Sequence, residues 1–115
     1  MSFRAGQLLA ILAAFSVPLL LAGQAPLSNE DKELQDHGQQ IVTKNCAPCH
    51  AVERRGASPR PDAPAFRTLG RRYPVESLEE ALGEGIISGH PDMPEFIFTG
   101  EDVGAIIAYL KSIQE

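Results

Sequence analysis

The sequence is poor in cysteine, histidine and methionine and lacks tryptophan. Its 115 residues include two cysteines, three histidines, two methionines and no tryptophan. There is no serine–histidine–aspartate set, no glycine-rich loop for phosphate, no second cysteine pair, no internal repeat and no low-complexity tract. These absences leave no pattern that indicates an enzyme, so the stretch around the two cysteines is the main candidate for a functional site.

The chain is short and acidic. Its length bounds it to one domain. Hydrophobic residues make up 43% of the chain and charged residues 22%, which is ordinary for a globular protein. Ten basic residues against fifteen acidic ones give a formal net charge of −5. Because a negative protein is repelled by phosphate backbones, nucleic acid is not an expected partner.

Residues 1–25 have the pattern of a secretory signal peptide. Arg4 supplies a positive charge near the N-terminus, and an apolar run over residues 8–21 follows it. The small residues that offer a cleavage site after this run are Ala22, Gly23 and Ala25. An uncleaved membrane anchor is the alternative, since residues 5–22 have about the minimum length of a membrane span. The first interpretation predicts an exported, periplasmic protein whose mature domain covers residues 26–115.

The two cysteines lie in the stretch Cys46-Ala47-Pro48-Cys49-His50, which has the form C-x-x-C-H. This is the attachment pattern for c-type haem. Two thiols at this spacing can add to the two vinyl groups along one edge of the porphyrin. The imidazole of His50 then lies where it can bind the iron as the proximal ligand. The stretch therefore predicts one covalent haem c, held by Cys46 and Cys49, with its iron bound by His50.

Three other uses of a cysteine pair compete with haem attachment. A thioredoxin-like redox pair belongs beside a βαβ unit, and the sequence shows no such context. A zinc site needs four nitrogen or sulfur ligands, and outside the motif His37 and His90 alone remain to complete one. A structural disulfide across two intervening residues would close a very short loop and stabilise the fold little.

Apolar periodicity predicts an all-α fold with three helices of some length and no convincing strand. The first helix covers residues 29–46 and begins with the capping pattern Ser28-Asn29-Glu30-Asp31. The second covers residues 75–87. The last begins at a similar capping pattern after Thr99 and ends near Ser112.

Prolines and glycines mark the segments between these helices. Residues 51–74 form an arginine-rich loop with a short helical turn at residues 65–69. Residues 88–96 contain two prolines and a glycine and carry Met93, the internal methionine. Inside the first predicted helix, Gly38 costs about 1 kcal/mol relative to alanine. A close approach of another helix would justify that cost.

These features resemble a monohaem class I cytochrome c of the small bacterial kind. The resemblance covers residues 30–113. Gly38, Val42 and the C-x-x-C-H stretch have the spacing of that family's first helix. Ile106-x-x-Tyr109-Leu110 resembles its last helix, whose aromatic residue crosses the first helix at the glycine. Met93-Pro94, which begins 43 residues after His50, resembles its distal-ligand loop.

The resemblance implies three main helices and loops wrapped around one covalent haem. It also implies that His50 and Met93 are the axial ligands of the iron. His90 lies three residues before Met93 and is the competing distal ligand. The carbonyl of Pro64, or that of Pro61, is expected to accept a hydrogen bond from the second ring nitrogen of His50, which would fix the imidazole's orientation.

The function implied by the resemblance is single-electron transfer rather than catalysis, because two protein ligands leave no open position on the iron. Two alternatives from other classes remain open. In the first, the chain is an electron-transfer subunit bound permanently to a dehydrogenase or oxidase, which an exposed apolar patch would indicate. In the second, Met93 does not bind the iron, and the chain is a ligand-binding haem sensor or a peroxidase-like protein.

Charge is unevenly distributed along the chain. Residues 54–72 contain six arginines and one acid, whereas residues 73–115 contain nine acids and one lysine. In the family this loop borders the exposed edge of the haem. A basic rim there would steer the protein towards an acidic patch on its redox partner. The residues predicted to form this docking surface are Arg54, Arg55 and Arg60.

The alternative role for these arginines is to solvate the loop or to bind the haem propionates. A guanidinium group binds a carboxylate in a two-pronged fork. Arg71, Arg72 and Tyr73 are the residues predicted to contact the propionates.

Overall fold

The computed structural model describes residues 23–87 and 90–115. Most of the predicted signal segment, residues 1–22, lies outside the described residues. The described residues form three α-helices and two 3₁₀ segments, and no strand. Their bounds are Asn29–Asn45 for α1, Phe66–Arg71 and Val75–Leu78 for the 3₁₀ segments, Glu79–Glu84 for α2 and Gly100–Ile113 for α3. The predicted all-α class is confirmed, and no helix in the described part of the chain is long and apolar enough to cross a membrane.

Helix α1 delivers the chain directly to the C-x-x-C-H stretch. It begins at a capping box, in which the Ser28 hydroxyl accepts from the Asp31 N–H at 3.1 Å and the Asp31 carboxylate accepts from the Ser28 N–H at 3.3 Å. At the other end, the N–H groups of Cys46 and Ala47 both donate to the Val42 carbonyl, at 2.8 and 3.1 Å. The start of this helix is as predicted, and its end falls one residue before the first cysteine.

The predicted second helix, residues 75–87, is wrong in its extent. Residues Val75–Leu78 are a 3₁₀ segment, and α-helix is restricted to Glu79–Glu84. The helix ends because Gly85 has a φ of 110°, a left-handed conformation that favours glycine. The Gly85 N–H caps the helix by donating to the Ala81 carbonyl at 2.9 Å. Ile86, which continues the apolar periodicity, therefore packs against the core from beyond the helix end.

Helix α3 crosses α1 in direct backbone contact. It begins at Thr99, whose hydroxyl accepts from the Asp102 N–H at 3.2 Å. A Cβ atom added to Gly38 would overlap the carbonyl of Ala105 and lie 2.9 Å from the Cβ of Tyr109. The predicted crossing at Gly38 is therefore confirmed, and the closest neighbour is the α3 backbone rather than the aromatic ring.

The hydrophobic core lies between α1, α3 and the loops that follow α1. Tyr109 fixes one of these loops, because its hydroxyl donates to the Val52 carbonyl at 2.8 Å. Most of the buried apolar residues belong to α3 or lie in the loop next to it. These residues are Val42, Ala51, Val52, Leu69, Val75, Leu82, Val103, Ala105, Ile106, Ile107, Tyr109, Leu110 and Ile113.

Candidate haem-binding site

A largely apolar cavity of about 310 Å³ opens beside the C-x-x-C-H stretch. Both cysteines and His50 line it, and so does Met93. Apolar side chains from all three helices and from the loops form most of the remaining wall. They are Val42, Phe66, Leu69, Leu78, Leu82, Ile86, Phe96, Phe98, Ile106 and Leu110. The fold thus brings the predicted attachment residues and both predicted iron ligands to one cavity.

The turn after α1 presents two free thiols to this cavity. The N–H groups of Cys49 and His50 both donate to the Cys46 carbonyl, at 3.1 and 2.9 Å, which closes the turn. Cys46 and Cys49 are not joined by a disulfide. Burial raises the pKa of the Cys46 thiol to about 11. A thioredoxin-like pair needs a lowered thiol pKa, so the environment of Cys46 does not support that alternative.

The zinc alternative finds no support either. His37 lies on α1, where its Nε2 is 2.9 Å from the Asp102 carboxylate, and it does not line the cavity. Within residues 23–87 and 90–115 there is no group of three or more His, Cys, Asp or Glu side chains placed to hold a metal ion.

His50 is held in one orientation by the loop that follows it. Its Nδ1 lies 2.8 Å from the Pro64 carbonyl. Because a carbonyl oxygen can only accept, Nδ1 carries the proton and the Nε2 lone pair is left for a metal. Phe66 packs on the imidazole, with 4.8 Å between ring centroids. Of the two prolines that the sequence left open, the structure selects Pro64.

The loop over residues 51–65, here called the proximal loop, is tied to the motif by its backbone. The Arg60 N–H donates to the Cys49 carbonyl at 3.1 Å, and the Phe66 N–H donates to the Ala51 carbonyl at 2.9 Å. The Ser58 hydroxyl accepts from the Ala51 N–H at 2.9 Å. These bonds give order to a proline-rich segment without regular secondary structure. The sequence carries no signal for the role of Ser58.

Met93 lies in a second loop, residues 90–98, here called the distal loop. A turn at its start is closed by the Met93 N–H, which donates to the His90 carbonyl at 3.2 Å. At its end the Phe98 N–H donates to the Leu82 carbonyl at 3.0 Å, and the rings of Phe96 and Phe98 stack at 5.8 Å. The loop therefore runs along one wall of the cavity, with its aromatic rings on the lining.

Four charged or titratable side chains form a cluster between the proximal and distal loops. Arg60 donates to Asp62 at 3.2 Å and to Asp92 at 2.9 Å, and the His90 Nε2 lies 2.7 Å from Asp62. The hydrogen bond from His90, with a further one from Arg60, lowers the pKa of the Asp62 carboxyl. All four side chains line the cavity. Sequence reasoning missed this cluster, because its members from the two loops are about thirty residues apart.

The remaining arginines are distributed around the surface. Arg71 pairs with Glu115 at 3.1 Å, and neither Arg71 nor Arg72 lines the cavity. Tyr73 does line it. Arg54 donates to the Ser112 carbonyl. The propionate contacts predicted for Arg71, Arg72 and Tyr73 stay a prediction.

Comparison with known proteins identifies the family. The family model named Cytochrome c matches residues 35–114. The chain belongs to the cytochrome c family. It is 33% identical over 78 residues to the cytochrome c-552 of Bradyrhizobium diazoefficiens, a match that covers 68% of this chain and 73% of that protein. No solved structure gives a significant match.

Members of this family carry covalently bound haem c with its iron, and they transfer electrons to redox partner proteins. The residues present fit that group on structural grounds. Two free thiols at the required spacing face an apolar cavity. On the same wall, the hydrogen bond to Pro64 leaves one nitrogen of His50 available to a metal.

Proposed function

We propose that this cytochrome c is a periplasmic single-electron carrier in which His50 and Met93 are the two axial ligands of the haem iron. One observation carries the proposal. The same largely apolar cavity is lined by His50 and by Met93 of the distal loop. The bond from His50 to Pro64 leaves the Nε2 of His50 for iron. A thioether ligand raises the reduction potential of haem, which suits a carrier.

The environment of His90 favours Met93 as the distal ligand. The His90 Nε2 lies 2.7 Å from the Asp62 carboxylate and 3.4 Å from the guanidinium of Arg60. Binding iron through that nitrogen would require His90 to leave both groups. Met93 has a thioether, which forms only weak hydrogen bonds and loses little by turning towards a metal.

The chain's own residues account for the remaining requirements of a carrier. Haem supplies the one-electron couple when bound. The largely apolar lining would shield most of a bound haem from water, and the bond to Pro64 keeps the proton of His50 on Nδ1. If His50 and Met93 both held the iron, no position would be left for oxygen or a substrate, so the proposed function is electron carriage without catalysis.

The absorption spectrum of the oxidised protein tests this ligation. Methionine-ligated ferric haem gives a weak band near the red end of the visible spectrum. We expect the wild type to show this band, Met93→Ala to lose it and His90→Ala to keep it. The opposite pattern would assign His90 as the ligand and remove Met93 from the proposal.

Export is supported by the pattern of residues 1–25 and by the motif, because in bacteria c-type haem is attached outside the inner membrane. Mass spectrometry of the protein purified from the periplasm should give a chain that begins near residues 22–26 and carries one haem. A full-length chain in the membrane fraction would instead indicate an uncleaved anchor. Extraction of the haem by acidified organic solvent would exclude covalent attachment.

Arg54 and Arg55 are proposed as the core of the docking surface for the redox partner. Both are exposed, and among the described residues neither forms an ion pair with a carboxylate. Arg60, the third predicted member, is paired with Asp62 and Asp92 and so contributes less to a steering field.

A second candidate function, a subunit bound permanently to a dehydrogenase or oxidase, also has an observation in its favour. Ile87 and Ile97, on either side of Met93 in the sequence, are 90% and 69% exposed. Single exposed apolar side chains are normal, so this function requires Ile87 and Ile97 to belong to one contiguous patch that a partner covers. Size-exclusion chromatography of the native protein distinguishes the two functions. A free carrier elutes at the size of its own chain, whereas a subunit elutes with a larger partner.

A further inference from the structure

Arg60 connects the two walls of the haem cavity. Its backbone N–H donates to the Cys49 carbonyl at 3.1 Å, so its main chain is anchored on the attachment motif. Its guanidinium reaches across to Asp92 on the distal loop at 2.9 Å. Asp92 directly precedes Met93 in the chain. One residue thus links the motif that holds the haem to the loop that carries the distal ligand.

A second chain of contacts runs in parallel from the same guanidinium. The Nε of Arg60 donates to one oxygen of Asp62 at 3.2 Å, and the other oxygen of Asp62 lies 2.7 Å from the His90 Nε2. The His90 carbonyl accepts from the Met93 N–H at 3.2 Å. The proximal loop therefore holds the residues before Met93 at two points, Asp92 and His90.

The distal loop depends on contacts of this kind for its position. Its residues 90–98 contain no α-helix and no strand. Arg60 is suited to hold such a loop, because its planar guanidinium presents several N–H donors in a fixed geometry and engages two carboxylates at once. A lysine at this position would offer a single point charge.

We propose that Arg60 is a positioning residue that holds the distal loop against the cavity and so keeps Met93 in place as the distal ligand. This inference rests on the proposed ligation by His50 and Met93. It replaces the predicted docking role of Arg60. Without Arg60, the loop would open more often, and a small molecule in solution would displace Met93 more easily.

Imidazole binding to the oxidised holoprotein tests the proposal. At mildly alkaline pH free imidazole is neutral, and its binding is followed by loss of the band that Met93 gives. We expect Arg60→Ala to bind imidazole several-fold more tightly than the wild type, and Arg60→Lys to lie between the two. Lys111→Ala is the matched control. It removes a cation from an exposed ion pair, with Glu76 at 2.7 Å, outside the cavity, and should bind imidazole as the wild type does.

Two further measurements keep the result interpretable. Asp92→Asn preserves the side-chain shape and should also bind imidazole more tightly, which covers the case in which Arg60→Ala folds poorly. Raising the ionic strength from about 0.01 to 1 M shortens the screening length about tenfold. The wild type should then bind imidazole more tightly, whereas Arg60→Ala should change little.

The outcomes separate the two proposals. If the wild type shows the band of a methionine ligand while Arg60→Ala and Asp92→Asn bind imidazole with wild-type affinity, the role of Arg60 is wrong and the ligation stands. If the wild type lacks that band, the proposed ligation by Met93 is wrong, and so is the proposed role of Arg60, which depends on it.

Discussion

The hydroxyl of Tyr109 donates to the buried carbonyl of Val52 and so fixes the start of the proximal loop to α3. Tyr109→Phe removes the donor and leaves that carbonyl without its partner. An unpaired buried polar group costs about 1–3 kcal/mol. We expect the variant to lose about that much free energy of unfolding, measured by chemical denaturation, and to keep its visible spectrum. An unchanged stability would show that water replaces the hydroxyl.

The same side chain gives the stability a dependence on alkaline pH. Burial raises the pKa of Tyr109, and the negative charge of Glu53 raises it further. Since the folded state disfavours the phenolate, the stabilisation is complete below the pKa of an unfolded tyrosine, about 10, and is lost as the pH rises above it. The stability difference between the wild type and Tyr109→Phe should therefore shrink above about pH 10. A constant difference would contradict a raised pKa.

The contact between α1 and α3 depends on the absence of a side chain at Gly38. A methyl group there would overlap the Ala105 carbonyl, and backbone cannot move aside as a flexible side chain can. Overpacking of this kind costs typically about 1–3 kcal/mol, so Gly38→Ala should be destabilised by at least that amount.

Gly104, in α3, is the matched control. A Cβ added to it meets no atom within 4 Å. Alanine is a better helix former than glycine by about 0.5–1 kcal/mol, so Gly104→Ala should be stabilised. If thermal unfolding shows the same sign of change for both variants, close packing is not the reason for glycine at position 38.

Helices α1 and α3 could be predicted from sequence because their signals are local. The capping residues Ser28 and Thr99 lie next to the helices they begin, and the apolar periodicity continues to each end. The end of helix α2 could not be predicted from local signals. The periodicity runs on to Ile86, whereas the helix ends at Gly85, whose conformation depends on how the chain turns into the following loop.

In the site, too, the parts that could be predicted are those whose signal is local in the sequence. Cys46, Cys49 and His50 are contiguous, so their spacing alone indicates the chemistry. The partners of Arg60 are not contiguous with each other. Its contact with Asp92 joins residues 32 apart in sequence, and only the folded chain brings the proximal and distal loops together.

Across the whole molecule, several of the basic side chains that the sequence offers for docking are already paired with acids. Of the six arginines in residues 54–72, Arg67 and Arg71 both pair with Glu115, and Arg60 is held by two acids. Arg54, Arg55 and Arg72 form no ion pair among the described residues, and the first two are the proposed docking residues. Arg55→Glu should slow electron transfer to that partner at low salt, because each charge reversal weakens the steering field. Stopped-flow rates should fall as ionic strength rises from about 0.01 to 0.1 M, over which the screening length drops from about 30 to 10 Å.

Lys111→Glu is the control for this prediction. It changes the net charge by the same amount, at a residue of α3 that pairs with Glu76 and is not a member of the proposed docking surface. Its rates should stay near those of the wild type. Equal slowing of both variants would mean that net charge, rather than a localised docking surface, governs the encounter.

The function of the chain as a whole depends on whether the iron has an open position. Carbon monoxide, added to the reduced native protein without denaturant, tests this directly. With His50 and Met93 both bound, we expect no change in the reduced spectrum. Met93→Ala should bind carbon monoxide and serves as the positive control. Binding by the wild type would contradict ligation by both residues and would indicate a sensor or peroxidase-like protein instead of an electron carrier.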